Sequence, residues 1–217
     1  MIQVNNLSKS FGELKVLKNI SFSINKGEIV SVTGASGAGK TTLLNIIGTL
    51  DKADSGSVII NNRDITAMSD KELSVFRNKE IGFVFQFHHL LNEFTALENI
   101  IIPALIYGKD KKQYINKAME LMETLSLKGK ENSYPNELSG GEQQRIAIAR
   151  SLINSPSLIL ADEPTGNLDS KNSEQIFNMI KLLRENFHQT FVIVTHSDKL
   201  ASISDRKLII SDGNLTE

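Results

Sequence analysis

Gly34-Ala35-Ser36-Gly37-Ala38-Gly39-Lys40-Thr41 is the stretch on which the reading of this chain turns. It spaces glycine, four residues, glycine, lysine and a hydroxyl residue as a phosphate-binding loop requires. Ile29-Val30-Ser31-Val32 before it reads as a buried strand, and Thr42-Leu43-Leu44-Asn45-Ile46-Ile47 after it as the first turns of an apolar helix. Glycines let the backbone wrap tightly, so that successive N–H groups point at a phosphate held on the helix N-terminus. Residues Gly34 through Thr42 are therefore the expected nucleotide cradle. Lys40 adds a mobile positive charge at the β and γ phosphates, and the Thr41 hydroxyl is a hard oxygen ligand for Mg²⁺. A nucleoside triphosphate is the predicted ligand.

Around this loop the chain alternates elements. Ile2-Gln3-Val4, Val16 to Ile24 and Ser55 to Ile60 read as strands of a small antiparallel sheet, with Lys26-Gly27 as a turn. Ser69 and Glu72 have capping-box spacing and open a helix expected to end near Arg77. Ile81 to Phe85 is a second buried strand, ending at Gln86. Between Gln86 and Ser157 the periodicity turns helical, as in Tyr114, Ala118, Leu121, Met122 and Leu125. Leu158 to Ala161, the helix carrying Ile176, Ile180, Leu183 and Phe187, and the strand Thr190 to Thr195 then restore β–α alternation. Asp212-Gly213 makes a last hairpin-like turn. The expected organisation is one α/β domain, with residues 1–86 and 154–217 as core and 87–153 as an inserted helical segment.

Composition narrows the classes. The chain is 40% hydrophobic and 23% charged, with a formal net charge of −1, which gives no nucleic-acid footprint. The absence of cysteine excludes disulfides and thiolate metal sites. The N-terminus shows no apolar signal segment. The longest apolar run, Ile100 to Tyr107, is about half of the ~20 residues a spanning helix needs, and Pro103 interrupts it. A soluble protein is expected, with any membrane role exercised through a partner. The charge run Lys109 to Lys112 reads as a solvated face at a helix start.

Two further elements carry chemistry. Leu158-Ile159-Leu160-Ala161 is an apolar strand ending in Asp162 and Glu163. Asp162 can hold Mg²⁺ through its water shell, and Glu163 can polarise a water for attack on the γ-phosphate. Such a pair could be a surface loop, but a phosphate loop upstream gives it a purpose. Leu138-Ser139-Gly140-Gly141-Glu142 opens a second helix, with Ser139 as its cap and bare N–H groups facing an anion.

With these motifs in this order, the sequence resembles the ATP-binding-cassette (ABC) ATPases over essentially its whole length. The resemblance rests on Phe11, the phosphate loop, Gln86 at its strand end and Ser139-Gly140-Gly141. Asp162-Glu163, Asn167-Leu168-Asp169 and His196 after its strand complete it. It implies the P-loop NTPase fold, with a RecA-like parallel core, an antiparallel β subdomain and a helical subdomain. It also implies Mg²⁺-dependent ATP hydrolysis by a head-to-tail homodimer that closes on ATP. In that arrangement Phe11 stacks on adenine, and Ser139, Gly140 and Gly141 face the γ-phosphate bound by the other subunit's Lys40. Gln86 reaches the metal or the attacking water, His196 contacts the γ-phosphate, and Asp169 crosses the dimer.

The segments Phe85 to Asn99 and Asp162 to Asp169 look like the subgroup that serves lipoprotein release from the bacterial inner membrane. Macrolide- or peptide-export and cell-division ATPases are near relatives. Integral membrane permease subunits are then the expected partners, docking at the groove around Gln86 to Asn99, with the chain peripheral on the cytoplasmic face. His88 and His89 are read as shaping that groove rather than holding metal, since adjacent histidines alternate faces and no carboxylate cluster accompanies them. Asn92 stands where this subgroup is expected to have proline. A DNA-repair type of ABC ATPase, the reading from another class, would need a long coiled coil between Lys40 and Ser139, and no heptad run is present.

Overall fold

Branched residues and tight turns shape the start of the chain. β1 (Ile2–Phe11) and β2 (Leu14–Ile24) form a hairpin, with Ile2 opposite Ile24 and Phe11 opposite Leu14. β3 (Ile29–Thr33) is buried from Ile29 to Val32, as a strand covered on both faces must be. It leads into the phosphate-loop residues and α1 (Lys40–Ile47), followed by β4 (Ser55–Ile60), β5 (Arg63–Asp64) and α2 (Asp70–Glu80). The Ser69 N–H and hydroxyl donate to Glu72 at 2.8 and 2.6 Å, the expected capping box. α2 runs past Arg77 to Glu80, because neither glycine nor proline stops it before the next strand.

The middle of the chain holds β6 (Ile81–Phe85), α3 (Ala96–Ile106), α4 (Lys111–Thr124), α5 (Gly140–Leu152), β7 (Leu158–Asp162) and α6 (Ser170–Phe187). The end holds β8 (Thr190–Val194), α7 (Asp198–Ser202), β9 (Arg206–Ser211) and β10 (Asn214–Thr216). This computed structural model describes every residue except Tyr107, Lys109 and Glu217. The last residue of the apolar run and the first of the charge run thus lie outside the described residues.

Two units emerge, residues 1–77 with 183–217, and residues 78–182. In the first, β2-β1-β4-β5 is an antiparallel sheet, and β3 lies between β8 and β9, parallel to both. β10 closes on β9 as the expected hairpin across Asp212-Gly213. In the second, β6 and β7 run parallel, with Phe85 opposite Asp162. The expected mixture of antiparallel sheet, parallel strands and helical segment is present.

Pro103 sits inside α3, so the apolar run it punctuates is one helix rather than two pieces. An interior proline removes a backbone donor and costs about 3 kcal/mol, which the burial of Ile100, Ile101 and Ala104 offsets. The helix begins with another capping box, Thr95 and Glu98, at 2.9 Å from N–H to carboxylate. Among the described residues no helix is long and apolar enough to cross a membrane.

Asn99 holds the loop before α3. Its side chain is fully buried; it accepts from the Leu91 N–H at 2.8 Å and donates to the carbonyls of Leu91, Phe94 and Thr95 at 3.0 Å each. Asn99→Leu keeps the volume and orphans those groups. It should destabilise the protein by about 2–4 kcal/mol, read by chemical denaturation, and speed protease cleavage between Leu91 and Thr95.

Candidate functional site

The expected site residues divide between the two units. In the first, β3 ends at Thr33 and its parallel register puts Val32 opposite Val194. The phosphate loop and His196 therefore leave the carboxyl ends of neighbouring parallel strands, where α/β sheets bind ligands. Gly34, at φ 146°, has the Ile210 carbonyl oxygen 2.1 Å from where a Cβ would stand, so only glycine fits. Gly39 caps α1 in a left-handed conformation, and no acidic residue occupies the first turn to oppose a bound anion.

Lys40 is buried, and its ammonium donates to the carbonyls of Gly34 at 3.0 Å and Ala35 at 2.8 Å. The lysine is thus folded back on its own loop, its charge met by two carbonyl dipoles that a phosphate can replace. Ala35, Ser36, Gly37 and Thr41 are exposed, and Ala38 and Thr42 half-buried. Ala35 to Ala38 line one wall of an open cleft of about 260 Å³ whose other wall carries Lys15 and Lys18. Phe11 is 52% exposed, with the Lys9 ammonium 5.0 Å from its ring centroid. His196 is exposed, between buried Thr195 and Ser197, the cap of α7.

In the second unit, Gln86 follows β6 and Glu163 follows β7, so both leave the carboxyl ends of paired strands. Glu163 adopts φ 47°, a left-handed conformation that a glutamate holds only where its surroundings impose it. The buried Gln144 amide donates to the Pro164 carbonyl at 2.7 Å and anchors the following turn. The Gln86 amide donates to Asn167 Oδ1 at 3.0 Å, and Asn167 Nδ2 donates back to the Gln86 carbonyl at 3.3 Å. Asn167 has a positioning part that its own sequence position did not announce, because its partner lies 81 residues away.

Ser139 caps α5 as expected, and Glu142 completes a capping box that the Ser-x-x-Glu spacing signalled. The Ser139 N–H and hydroxyl both donate to Glu142 at 2.8 Å, and Lys130 lies 3.0 Å from the same carboxylate. These hydrogen bonds, the backbone N–H first, bring the Glu142 carboxyl down to about 2. Gly141 is buried where a Cβ would meet the Asn172 amide oxygen at 2.2 Å. Asn172 in turn donates to Asp169 at 2.7 and 3.0 Å. The signature helix and the Asp169 turn are therefore packed together within one chain, and Asp169 caps α6.

His88 and His89 do not alternate faces as in a strand; both are left-handed, at φ 53° and 49°. Burial lowers the His88 pKa. Among the described residues no group of three or more His, Asp or Glu could form a metal cage. The candidate donors Thr41, Gln86 and Asp162 are hard oxygen ligands, few in number. Oxygens of that kind suit Mg²⁺, which keeps waters and shares its ligands with substrate phosphates.

Residues 17–166 match the sequence model of the family described as ABC transporter. The chain belongs to that family. Among the family's members, the lipoprotein-releasing system ATP-binding protein LolD of Bacteroides fragilis is 55% identical over 215 residues, which are 99% of this chain and 100% of that protein. The LolD protein of Cytophaga hutchinsonii is 53% identical over 213 residues, 98% of this chain and 97% of its own. The ATP-binding cassette MJ0796, solved as a dimer in a post-hydrolysis state bound to ADP and Pi, matches with a TM-score of 0.90 at 42% identity. It covers 100% of this chain and 97% of its own. The ABC ATPase fold expected from the ordered motifs is the fold of this protein.

Two outcomes test the site. Gly34→Ala should cost about 2–4 kcal/mol and abolish binding of a fluorescent ATP analogue, because the clash is with backbone that cannot turn away. Glu142 has a depressed pKa, so its stabilisation is complete above 4.5 and lost as pH falls toward 2. Glu142→Gln should be less stable than the parent at pH 6, and the gap in urea midpoint should narrow below pH 4.5 and close only near pH 2.

Proposed function

We propose that this chain is the ATP-hydrolysing subunit of a transporter that releases lipoproteins from the bacterial inner membrane, working at its cytoplasmic face. The observation that carries this reading is end-to-end similarity, at 55% and 53% identity, to two lipoprotein-releasing ATP-binding proteins. The chemistry is that of an ABC-type ATPase, ATP and water giving ADP and phosphate. Residues 1–86 and 154–217 act as the nucleotide-binding core, and 87–153 as the helical segment bearing the signature.

In this reading Phe11 stacks on adenine through its exposed face. The loop from Gly34 to Thr42 cradles the phosphates, and Lys40 exchanges its two carbonyl partners for phosphate oxygens. Thr41, Gln86 and Asp162 would hold Mg²⁺, which when bound neutralises charge on the triphosphate. Glu163 orients and deprotonates the attacking water, and His196 hydrogen-bonds the γ-phosphate. Ser139, Gly140, Gly141 and Asp169 serve the second subunit of an ATP-bound homodimer. The solved neighbour's dimeric post-hydrolysis state supports that arrangement. Phe87, Leu91 and Phe94, at 69%, 44% and 40% exposure, give the Gln86–Asn99 segment an apolar surface suited to a permease subunit.

Glu163→Gln should bind ATP at near-parental affinity, lose about a hundredfold or more in turnover and run as a dimer on size exclusion in Mg-ATP. A monomer at saturating nucleotide counts against the homodimer. The same variant, used as bait in membranes of the source organism, should capture integral subunits with a large extracytoplasmic domain and an associated lipoprotein. Capture of a drug-export permease, or of one bound to cell-wall hydrolase regulators, would retain the ATPase and overturn the cargo.

A further inference from the structure

The loop after β6 follows a path that its residues do not favour. His88 and His89 are consecutive left-handed residues, a conformation uncommon for any residue but glycine even though histidine tolerates it better than most. Such a conformation persists only when surroundings over-determine it, and it clusters at functional sites. Among those surroundings, alongside Phe85 and Gln143, one side chain grips both residues. Arg150, in α5, donates through Nη2 to the His88 carbonyl and through Nη1 to the His89 carbonyl, each at 2.6 Å. Successive residues in a helical conformation of either hand point their carbonyls the same way, and a planar guanidinium can then take both. In extended backbone the two carbonyls would diverge, and the arginine could hold only one.

The rest of the loop is tied at both ends. Gln86 exchanges amide hydrogen bonds with Asn167, and Leu91 is held by Asn99. The His89 ring packs against Phe85 at 5.1 Å between centroids, so the turn folds back on the strand it leaves. Between the ties only Phe87 separates Gln86 from the gripped carbonyls, and Phe87 is largely exposed. Any change in the His88–His89 backbone must pass through that single residue to Gln86. Burial disfavours the charge on Arg150, and the two carbonyl dipoles are what compensate it. The arginine therefore cannot leave the loop without exposing its charge or losing its partners.

We propose that Arg150 is the positioning residue of the Gln86 loop: its two-pronged grip on the His88 and His89 carbonyls sets where Gln86 reaches. This rests on the reading above that Gln86 acts at the reacting nucleotide. Arg150 touches no substrate and acts through the backbone. Lysine in its place would keep the charge but, as a point donor on a flexible stem, could not hold two carbonyls in one plane.

The test is a double-mutant cycle on the full chain, with Arg150→Lys, Gln86→Ala and the pair, following kcat, KM for Mg-ATP and affinity for a fluorescent ATP analogue. Arg150→Lys should reduce kcat about tenfold while KM and analogue affinity stay within about twofold, a loss confined to the reaction. In the Gln86→Ala background the same substitution should have no further effect, because its route is already cut. Equal factors in both backgrounds, or an unchanged kcat in Arg150→Lys, would overturn the proposal. An unchanged kcat in Gln86→Ala alone would remove Gln86 from the reaction and take the proposal with it, a pattern distinct from either of those. His88→Val leaves Arg150 in place and disfavours the left-handed turn through its branched side chain, so it should reproduce the kcat loss; parental kcat in a folded His88→Val would equally overturn the proposal.

Discussion

The contact between Gly34 and the Ile210 carbonyl is the constraint on which the nucleotide-binding half depends. β3 is held in register between β8 and β9, and at its last residue the neighbouring strand lies so close that no side chain can follow. The backbone must turn at that point, and it does so with a φ open only to glycine. That turn ends the strand in a loop instead of letting it run on beside β9. Lys40 then closes the loop through the carbonyls of Gly34 and Ala35. The loop is thus closed on itself by its own lysine.

The second unit is governed by a different device. Its functional segments, 86–95 and 163–169, are not regular secondary structure, so their backbone groups must be satisfied by side chains. Asn99, Gln144, Asn167 and Arg150 supply those bonds. Each is a polar side chain spent on another segment's backbone, and Asn99 and Gln144, themselves fully buried, are the costliest to replace because a buried group left alone retains its full desolvation penalty. Loops built this way are rigid enough to present Gln86 and Glu163 from fixed strand ends. They also join the signature helix, the Gln86 loop and the start of α3 through named bonds, so that a shift in one must be accommodated by the others.

Much of this was legible in the residues. The phosphate loop, the Asp162-Glu163 strand and the capped Ser139 helix are local patterns, in which spacing alone decides what the backbone can do. Strand and helix positions followed from hydrophobic period, and the family from the order of the motifs. Pro103 interrupts the apolar run without ending its helix. Its ring breaks an isolated helix, but the apolar faces of α3 hold the helix together through burial, a term no window of sequence contains.

By itself, then, the sequence determined that a glycine-rich loop joins a strand to a helix, that an acidic pair stands at a second strand end and that Ser139 caps a further helix. Those are properties of neighbours along the chain. Only the tertiary structure decided that Gly34 is pinned by Ile210, that Gln86 is paired with Asn167 and that Arg150 holds two histidine carbonyls in a left-handed turn. The partners in these contacts lie 61 to 176 residues apart, and nothing in the local spacing of any of these residues specifies which distant backbone group its side chain will meet.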